Sequence, residues 1–334
     1  MLKVGLIGCG FMGTMHANCW KALSDRAEVV AVADVRPEKA EELAALFGAK
    51  IYSDGKDLIE NEKLDVVDIC LPTYLHEKYA VMAMKADANV FVEKPMCRTK
   101  EEAENLVKVQ KETGKLLQVG QVIRFWDEYV WLKKVIDEGK YGKLTSATFK
   151  RMSPRPTWGW ENWLHTPEKS GGMALDLHVH DIDYIRYILG EPKKIQVVGN
   201  EHADGLNEYI MSTYIYDDNV IATAEGAWNF PENFRFSMSF CVRFEKATVC
   251  HDSGIGEFVV YLENGEKEVP VIEKQFEGSA GSGNISSLGG YYNELRYFTD
   301  LIADPTLPQI ASVTEGARSV ELALDGIAMA KGNK

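Results

Sequence analysis

Three groups of residues in this chain carry the freedom or the side chains that chemistry needs. The first is Gly8-Cys9-Gly10-Phe11-Met12-Gly13, directly behind the apolar run Lys3-Val4-Gly5-Leu6-Ile7. Gly8 permits the tight turn out of a strand, Gly10 lets a pyrophosphate approach the backbone, and Gly13 lets the next helix pack closely. The N-terminus of that helix offers free N–H groups and a positive dipole end to phosphates. Asp34 ends the next apolar run, about 20 residues on, where a carboxylate would hold the adenosine ribose hydroxyls. Arg36 stands two residues further and could partly accept a 2′-phosphate. Together these residues predict a bound dinucleotide, NAD in preference to NADP.

The second group is Glu93-Lys94-Pro95, which follows another apolar run. A lysine there could hydrogen-bond a substrate hydroxyl and lower the pKa of a reacting group. Pro95 suits a fixed turn and a cis peptide. The plainer alternative is a surface lysine capping a helix. The third group is the stretch from Gly171-Gly172 to Asp183. On a helix, Asp176 and His180 share a face, Asp183 joins it one turn on, and His178 points elsewhere. A carboxylate beside an imidazole suits a general base, because histidine titrates near neutral pH. On a strand, Asp176, His178 and His180 would instead face one way and suit a cation. A purely structural role for the histidines is the third possibility. The apolar run Ile182, Ile185, Ile188 and Leu189 favours the helix, so no metal site is expected.

Aromatic residues gather near these groups. Trp158, Trp160 and Trp163 lie close to Arg155, Asn162 and His165, and Trp126 and Tyr129 follow Arg124-Phe125. Flat aromatic faces beside polar donors suit a sugar or cyclic polyol, whose ring face is apolar and whose rim is hydroxyl. A domain-interface core would use the same residues.

The elements that must position these groups can be read from periodicity. Up to about residue 122 short apolar runs alternate with helical patterns, which implies a parallel sheet with helices on both faces. Ligands bind such sheets beyond the carboxyl ends of the strands. The expected cofactor contacts are therefore Gly8, Gly10, Phe11, Met12, Gly13, Asp34, Arg36, Leu71, Pro72, Thr73, His76, Glu93, Lys94 and Gln121. From about residue 123 a helix at 127–138 leads into a strand pattern at 143–151, then a helix at 172–189. Runs rich in Val, Ile, Thr, Tyr and Phe follow at 194–199, 208–217, 219–229, 234–244, 246–251 and 257–262. Hairpin turns are expected at Asp217-Asp218-Asn219 and Glu263-Asn264-Gly265. The expectation is an α/β Rossmann domain over 1–122 and, over 123–334, an α+β domain with a large, mostly antiparallel open sheet. The Gly- and Ser-rich stretch 277–289 reads as a mobile loop, before closing helices at about 290–303 and 312–331.

Composition sets the outer limits. A length of 334 residues suits two domains, and 46% hydrophobic with 26% charged residues is the balance of a globular protein. The formal net charge of −13 opposes binding to nucleic acid or an anionic membrane. No apolar run reaches the roughly 20 residues needed to span a bilayer. Cys9, Cys19, Cys70, Cys97, Cys241 and Cys250 form no C-x-x-C pair. With no disulfide framework and no signal-peptide anatomy expected, the reading is a reducing, cytoplasmic compartment.

Taken together, Gly8-x-Gly10-x-x-Gly13, Thr73-x-x-His76, Glu93-Lys94-Pro95 and Gly171-Gly172 with Asp176-x-x-x-His180 resemble the glucose–fructose oxidoreductase/inositol dehydrogenase (Gfo/Idh/MocA) family. The resemblance covers almost the whole chain. It implies an NAD(P)-binding first domain and a second, largely antiparallel domain that shapes the substrate site and often the oligomer interface, here a homo-dimer or homo-tetramer. The family's catalytic lysine falls on Lys94, and its paired acid and histidine on Asp176 and His180. The implied reaction is hydride transfer between nicotinamide and a secondary hydroxyl of a sugar or cyclic polyol. Expected substrate contacts are Arg124, Trp126, Arg155, Trp160, Trp163, His178 and, from the family layout, Tyr291 or Tyr292. His178 departs from the small residue many members carry there, and so could touch substrate or lie in the domain core. The family also holds members that oxidise a sugar transiently to cleave a glycosidic bond, and non-catalytic binders, so an NAD-retaining glycoside hydrolase and a nicotinamide-sensing regulator stay open.

Overall fold

The computed structural model describes residues 1–202, 205–274, 276, 278 and 288–332. Most of the Gly- and Ser-rich stretch 277–289 lies outside them. The chain divides into two compact units, one of residues 1–126 with 274–320, the other of 127–273 with 321–334.

The first unit begins β1 (Leu2–Ile7), α1 (Phe11–Ala22), β2 (Ala27–Ala33), α2 (Pro37–Ala44), β3 (Lys50–Tyr52) and α3 (Gly55–Asn61). It continues β4 (Val66–Ile69), α4 (His76–Lys85), β5 (Asn89–Glu93), α5 (Lys100–Thr113) and β6 (Leu117–Gly120). Among the described residues these strands form one parallel sheet in the order β3-β2-β1-β4-β5-β6. Val66, Val67, Asp68 and Ile69 are all buried, as strands covered on both faces must be. Strand order reverses between β1 and β4, so the crevice beyond their carboxyl ends is the place for a ligand.

The second unit holds α6 (Asp127–Asp137), β7 (Leu144–Pro154), the single turn α7 (Pro167–Ser170) and α8 (Val179–Leu189). Then follow β8 (Lys194–Glu201), β9 (Asn207–Ile215), β10 (Ile221–Phe230), β11 (Ser237–Phe244), β12 (Ala247–Asp252), β13 (Glu257–Leu262) and β14 (Lys267–Glu268). Their sheet runs β14-β13-β12-β11-β7-β10-β9-β8. It is antiparallel except where β7 lies parallel to β10. Burial alternates along β11 and β12, which gives the sheet one packed face. Against that face Leu164, Met173, Ala174, Leu177, Val197, Ile210, Trp228 and Ala330 form a core. Asp218 and Asn219 both take positive φ between β9 and β10, as a tight hairpin turn requires.

Two helices close the chain, α9 (Gly289–Ala303) and α10 (Val313–Gly332). The sequence reading placed residues 274–320 within 123–334, with the C-terminal helix free to pack back on the first domain; they group with the first unit. The reason is the buried face of α9. Phe298 packs edge-on against Phe91 with centroids 5.6 Å apart. The Gln118 side chain donates to the Glu294 carbonyl at 3.0 Å, and Asn293 donates to the Phe125 carbonyl at 3.1 Å. A helix far along the chain thus completes the core beside β5 and β6.

Candidate active site

The turn after β1 shows why its glycines are glycines. Gly8 takes φ +96°, and a Cβ there would come within 2.5 Å of the Cys70 carbonyl oxygen. A Cβ on Gly13 would lie 1.9 Å from the Gly8 carbonyl oxygen, so any side chain would force α1 off the loop. At Gly10 the space is open, with Arg36 Nη2 at 3.5 Å the nearest neighbour. Gly10 also caps α1 with no side-chain hydrogen bond. The N-terminus of α1 is the positive end of a helix dipole, and the residues present fit a dinucleotide pyrophosphate.

Asp34 stands at the end of β2 as expected. Its Oδ1 accepts the Arg36 backbone N–H at 2.8 Å and Nε at 2.9 Å; its Oδ2 accepts the Cys9 N–H at 2.8 Å and Arg36 Nη2 at 2.9 Å. Burial alone would raise this carboxyl, but the Arg36 and Cys9 bonds outweigh it and hold it below its ordinary value. Arg36 is therefore committed to Asp34. Leu71, Pro72, Thr73 and His76 follow β4, and Glu93 and Lys94 follow or end β5, at the same edge of the sheet. The Lys94–Pro95 peptide is cis. His76 is buried, with its ring nitrogens 2.9 Å from the Pro95 carbonyl and 2.7 Å from that of Leu71. It ties the two turns together, and burial holds it below its ordinary pKa. Gln121 is buried just past β6, and its side-chain oxygen has no hydrogen-bond partner among the described residues.

Arg124 is engaged within the protein. It is 3% exposed, donates to the Ile310 carbonyl, and pairs with Glu315 at 3.0 Å. These bonds tie it to the segment before α10 and to the first turn of that helix. Trp126 meets Tyr291 edge-on, with centroids 5.9 Å apart. Tyr292 stacks on Phe276 at 4.1 Å.

In the second unit, residues 174–178 form a wide π-type turn that runs directly into α8. Such turns shift the helical phase and recur at functional sites. From Gly172 to Asp183 every residue is buried except Asp176 and His180. The acid and the histidine therefore share the one accessible stripe of this segment, whereas Asp183 is buried. His178 sits in the core, one of the two places the sequence left open for it. Its Nε2 is 2.8 Å from Ser212 Oγ, and a Cβ on Gly226 would lie 2.9 Å from its Nδ1. Burial, followed by the nearby Arg151 charge, pushes the imidazole down to about 3. One residue past His180, Asp181 is gripped by Arg151 through two bonds of 3.0 Å, with both side chains buried.

The aromatic segment divides. Trp163 is partly buried and packs against the core cluster of this unit. Trp158 and Trp160 are exposed. Arg155 pairs with His202 at 3.0 Å and lies 3.7 Å from Glu208.

Several features escaped the sequence reading. His16 on α1 lies between Asp68 and Glu93, with Glu294 of α9 alongside. The available signal was a charged residue inside the apolar strand Val66-Val67-Asp68-Ile69, because such residues are rarely buried unpaired. Cys241 and Cys250 are disulfide-bonded, where the sequence reading expected no disulfide framework. They are directly opposed partners on β11 and β12, and only strand register brings them together.

Residues 2–121 match the "Oxidoreductase family, NAD-binding Rossmann fold" (GFO_IDH_MocA), and residues 129–250 match the "GFO/IDH/MocA C-terminal domain". The chain is 29% identical over 249 residues to 2,7-anhydro-N-acetylneuraminate hydratase of Escherichia coli K12, covering 70% of this chain and 64% of that protein. It is 32% identical over 193 residues to myo-inositol 2-dehydrogenase of Thermotoga maritima, covering 57% and 55%. It is 25% identical over 325 residues to D-glucoside 3-dehydrogenase of Escherichia coli K12, covering 91% and 90%. The first two matches thus span less than two thirds of those relatives. Among solved structures, levoglucosan dehydrogenase in complex with NADH and levoglucosan superposes with a TM-score of 0.85 at 22% identity, covering 100% and 98%; that likeness is one of fold. With both domain descriptions matched in order over well over half its length, this chain belongs to the GFO/IDH/MocA oxidoreductase family, and its first unit carries the family's NAD-binding Rossmann fold.

Proposed function

We propose that this protein oxidises a secondary hydroxyl of a sugar or cyclic polyol, or reduces the corresponding ketone, with NAD. The observation that supports this most is the burial pattern of the segment 172–183, which leaves Asp176 and His180 as its accessible pair. His180 takes the hydroxyl proton, Asp176 orients the histidine or the substrate, and Lys94 holds the reacting oxygen and favours its deprotonated state. Bound nicotinamide supplies or accepts the hydride. The cofactor contacts are those at the carboxyl ends of β1, β2, β4, β5 and β6, from Gly8 to Gln121. Trp126, Arg155, Trp160 and Tyr292 are the remaining substrate contacts in this reading, with a small contribution from the partly core-packed Trp163. The inositol and glucoside dehydrogenases among the relatives favour the same substrate class. The test is turnover on a panel of hexoses and inositols against ethanol, glycerol and lactate, read as NADH absorbance. Preference for the small acyclic alcohols would reject the substrate class.

A second reading is a redox-neutral reaction that retains NAD and recycles it each turnover, such as glycoside cleavage or hydration. The hydratase among the relatives favours it. It predicts substrate consumption with no net NADH, and NAD that copurifies with the protein. We also propose a homo-oligomer in the cytoplasm. Its contact would be the outward face of the second sheet, where Val198 and Met211 are exposed cross-strand partners. Light scattering on the purified protein tests that assembly. Among the described residues no helix is long and apolar enough to cross a membrane.

A further inference from the structure

His16, Asp68, Glu93 and Glu294 form a buried polar cluster inside the first unit. They come from α1, β4, β5 and α9, four elements that meet only in the folded chain. The ring of His16 lies with Nδ1 3.0 Å from both Asp68 oxygens and Nε2 3.1 Å from Glu93 Oε1. Cys70 Sγ is 3.3 Å from the same Nδ1. Trp20 donates its indole N–H to Asp68 Oδ2 at 2.7 Å. Phe91 meets the ring edge-on at 5.4 Å, and Tyr291 lies 6.2 Å away. An ionised carboxylate only accepts hydrogen bonds, so a ring held between two of them must donate from both nitrogens. His16 is therefore an imidazolium, and these separations are hydrogen-bond lengths. Burial, the largest single influence, would strip its proton, but Asp68 and Cys70, through charge and hydrogen bonds together, outweigh it and raise the ring well above its ordinary value. Glu294 is fully buried and neither of its oxygens has a hydrogen-bond partner among the described residues. Burial and the Glu93 charge raise it well above its ordinary value, so it stays protonated.

Glu93 is the link from this cluster to chemistry. Its Oε1 meets His16, while its Oε2 accepts the backbone N–H of Lys94 at 3.0 Å. Gly120 on β6 leaves room for it, since a Cβ there would come within 3.1 Å of Oε1. One carboxylate thus spans the charged ring on one side and the first peptide of the Glu93-Lys94-Pro95 turn on the other.

We propose that His16 is a positioning residue for Lys94: clamped between Asp68 and Glu93, it fixes the carboxylate that receives the Lys94 N–H and so sets the backbone from which the lysine side chain departs. This rests on the reading of Lys94 as the group that holds the reacting oxygen. His16 itself touches neither substrate nor hydride.

A double-mutant comparison in the NAD-loaded full-length protein tests it. His16→Gln should lower kcat roughly 10- to 100-fold, the scale on which small misplacements of a catalytic group act. KM for the sugar and the dissociation constant for NADH, from fluorescence titration, should each stay within about threefold. Placed on Lys94→Ala, the same substitution should lower kcat by less than about a further twofold, because its target is gone. A full additional loss in the double variant overturns the positioning role while leaving Lys94 catalytic. Normal turnover in Lys94→Ala sinks the functional reading and the positioning role together. Glu93→Gln keeps the size of the side chain and serves if His16→Gln does not fold; it must show the same loss in kcat with KM preserved. Nitrogen NMR of the wild-type protein gives an independent reading. Both His16 ring nitrogens should still carry protons at pH values where a free imidazole has lost one. A neutral ring in that range, or a stoichiometric metal ion bound through it, overturns the proposal.

Discussion

Two buried histidines, one in each unit, are held in opposite charge states. His16 lies between two carboxylates and keeps its extra proton. His178 is equally buried, but its neighbours are a serine hydroxyl and the charge of Arg151, and it stays neutral. Burial pushes both rings toward neutrality. What differs is the sign of the nearest charge, so partner and not depth decides the state. Between these extremes stands His180, partly accessible, the histidine proposed to exchange a proton in turnover.

The largest expected effect comes from removing a partner in either unit. Asp68→Ala would leave His16⁺ with one carboxylate and the Trp20 N–H without its acceptor. Asp181→Ala would leave the buried Arg151 guanidinium unpaired. Each should destabilise its unit by about 3–5 kcal/mol, the range for breaking a buried ion pair. Urea unfolding measures it, and a loss near zero for Asp68→Ala would mean that His16 is not charged.

Catalysis should separate His180 from both buried rings. His180→Ala should lower kcat by about 100-fold or more, the scale of a positioned base. His178→Asn should leave kcat within about threefold, since that ring faces Ser212 and Gly226. The reverse outcome would make His178 the proton acceptor.

The pH dependence of stability then tests the contrast directly. His178 has a depressed pKa, so its contribution is fully present above 6.5 and is lost as pH falls toward about 3. His178→Asn should flatten that acid limb. Glu294 and His16 are raised, so their contributions are greatest at low pH and decline as pH rises. For Glu294 the decline begins above its ordinary 4.5. Glu294→Gln has no proton to lose and should gain stability relative to wild type as pH increases. Melting temperatures from pH 4 to pH 9 follow both, and parallel curves for wild type and either variant would contradict the assigned states.

The smallest effect concerns the cofactor. Asp34 holds Arg36 through paired bonds. Asp34→Ala would remove the carboxylate that repels a 2′-phosphate and release a guanidinium that could meet one. The ratio of kcat/KM for NAD over NADP should narrow by about tenfold, equivalent to 1.4 kcal/mol. An unchanged ratio would place the discrimination elsewhere.

Much of this molecule is legible in the chain because it is local. The turn Gly8 to Gly13 and Asp34 at the strand end are set by neighbouring residues and short periodicities, and the structure has them where spacing put them. The same is true of the spacing of Asp176 and His180, although the π-type turn beneath them breaks the helical phase that the pattern implied. The tertiary structure decided what depends on residues far apart. It made His178 a core residue, because β9 and β10 supply Ser212 and Gly226 against it. It turned Arg124 inward to Ile310 and Glu315, and brought Cys241 opposite Cys250 through strand register. It also brought Glu294, on a helix near the end of the chain, beside His16 near its start. A sequence displays which residues can hold a charge or a hydrogen bond. Which partner each meets, and therefore whether a histidine is a cation, a neutral strut or a base, depends on long-range packing that no local pattern encodes.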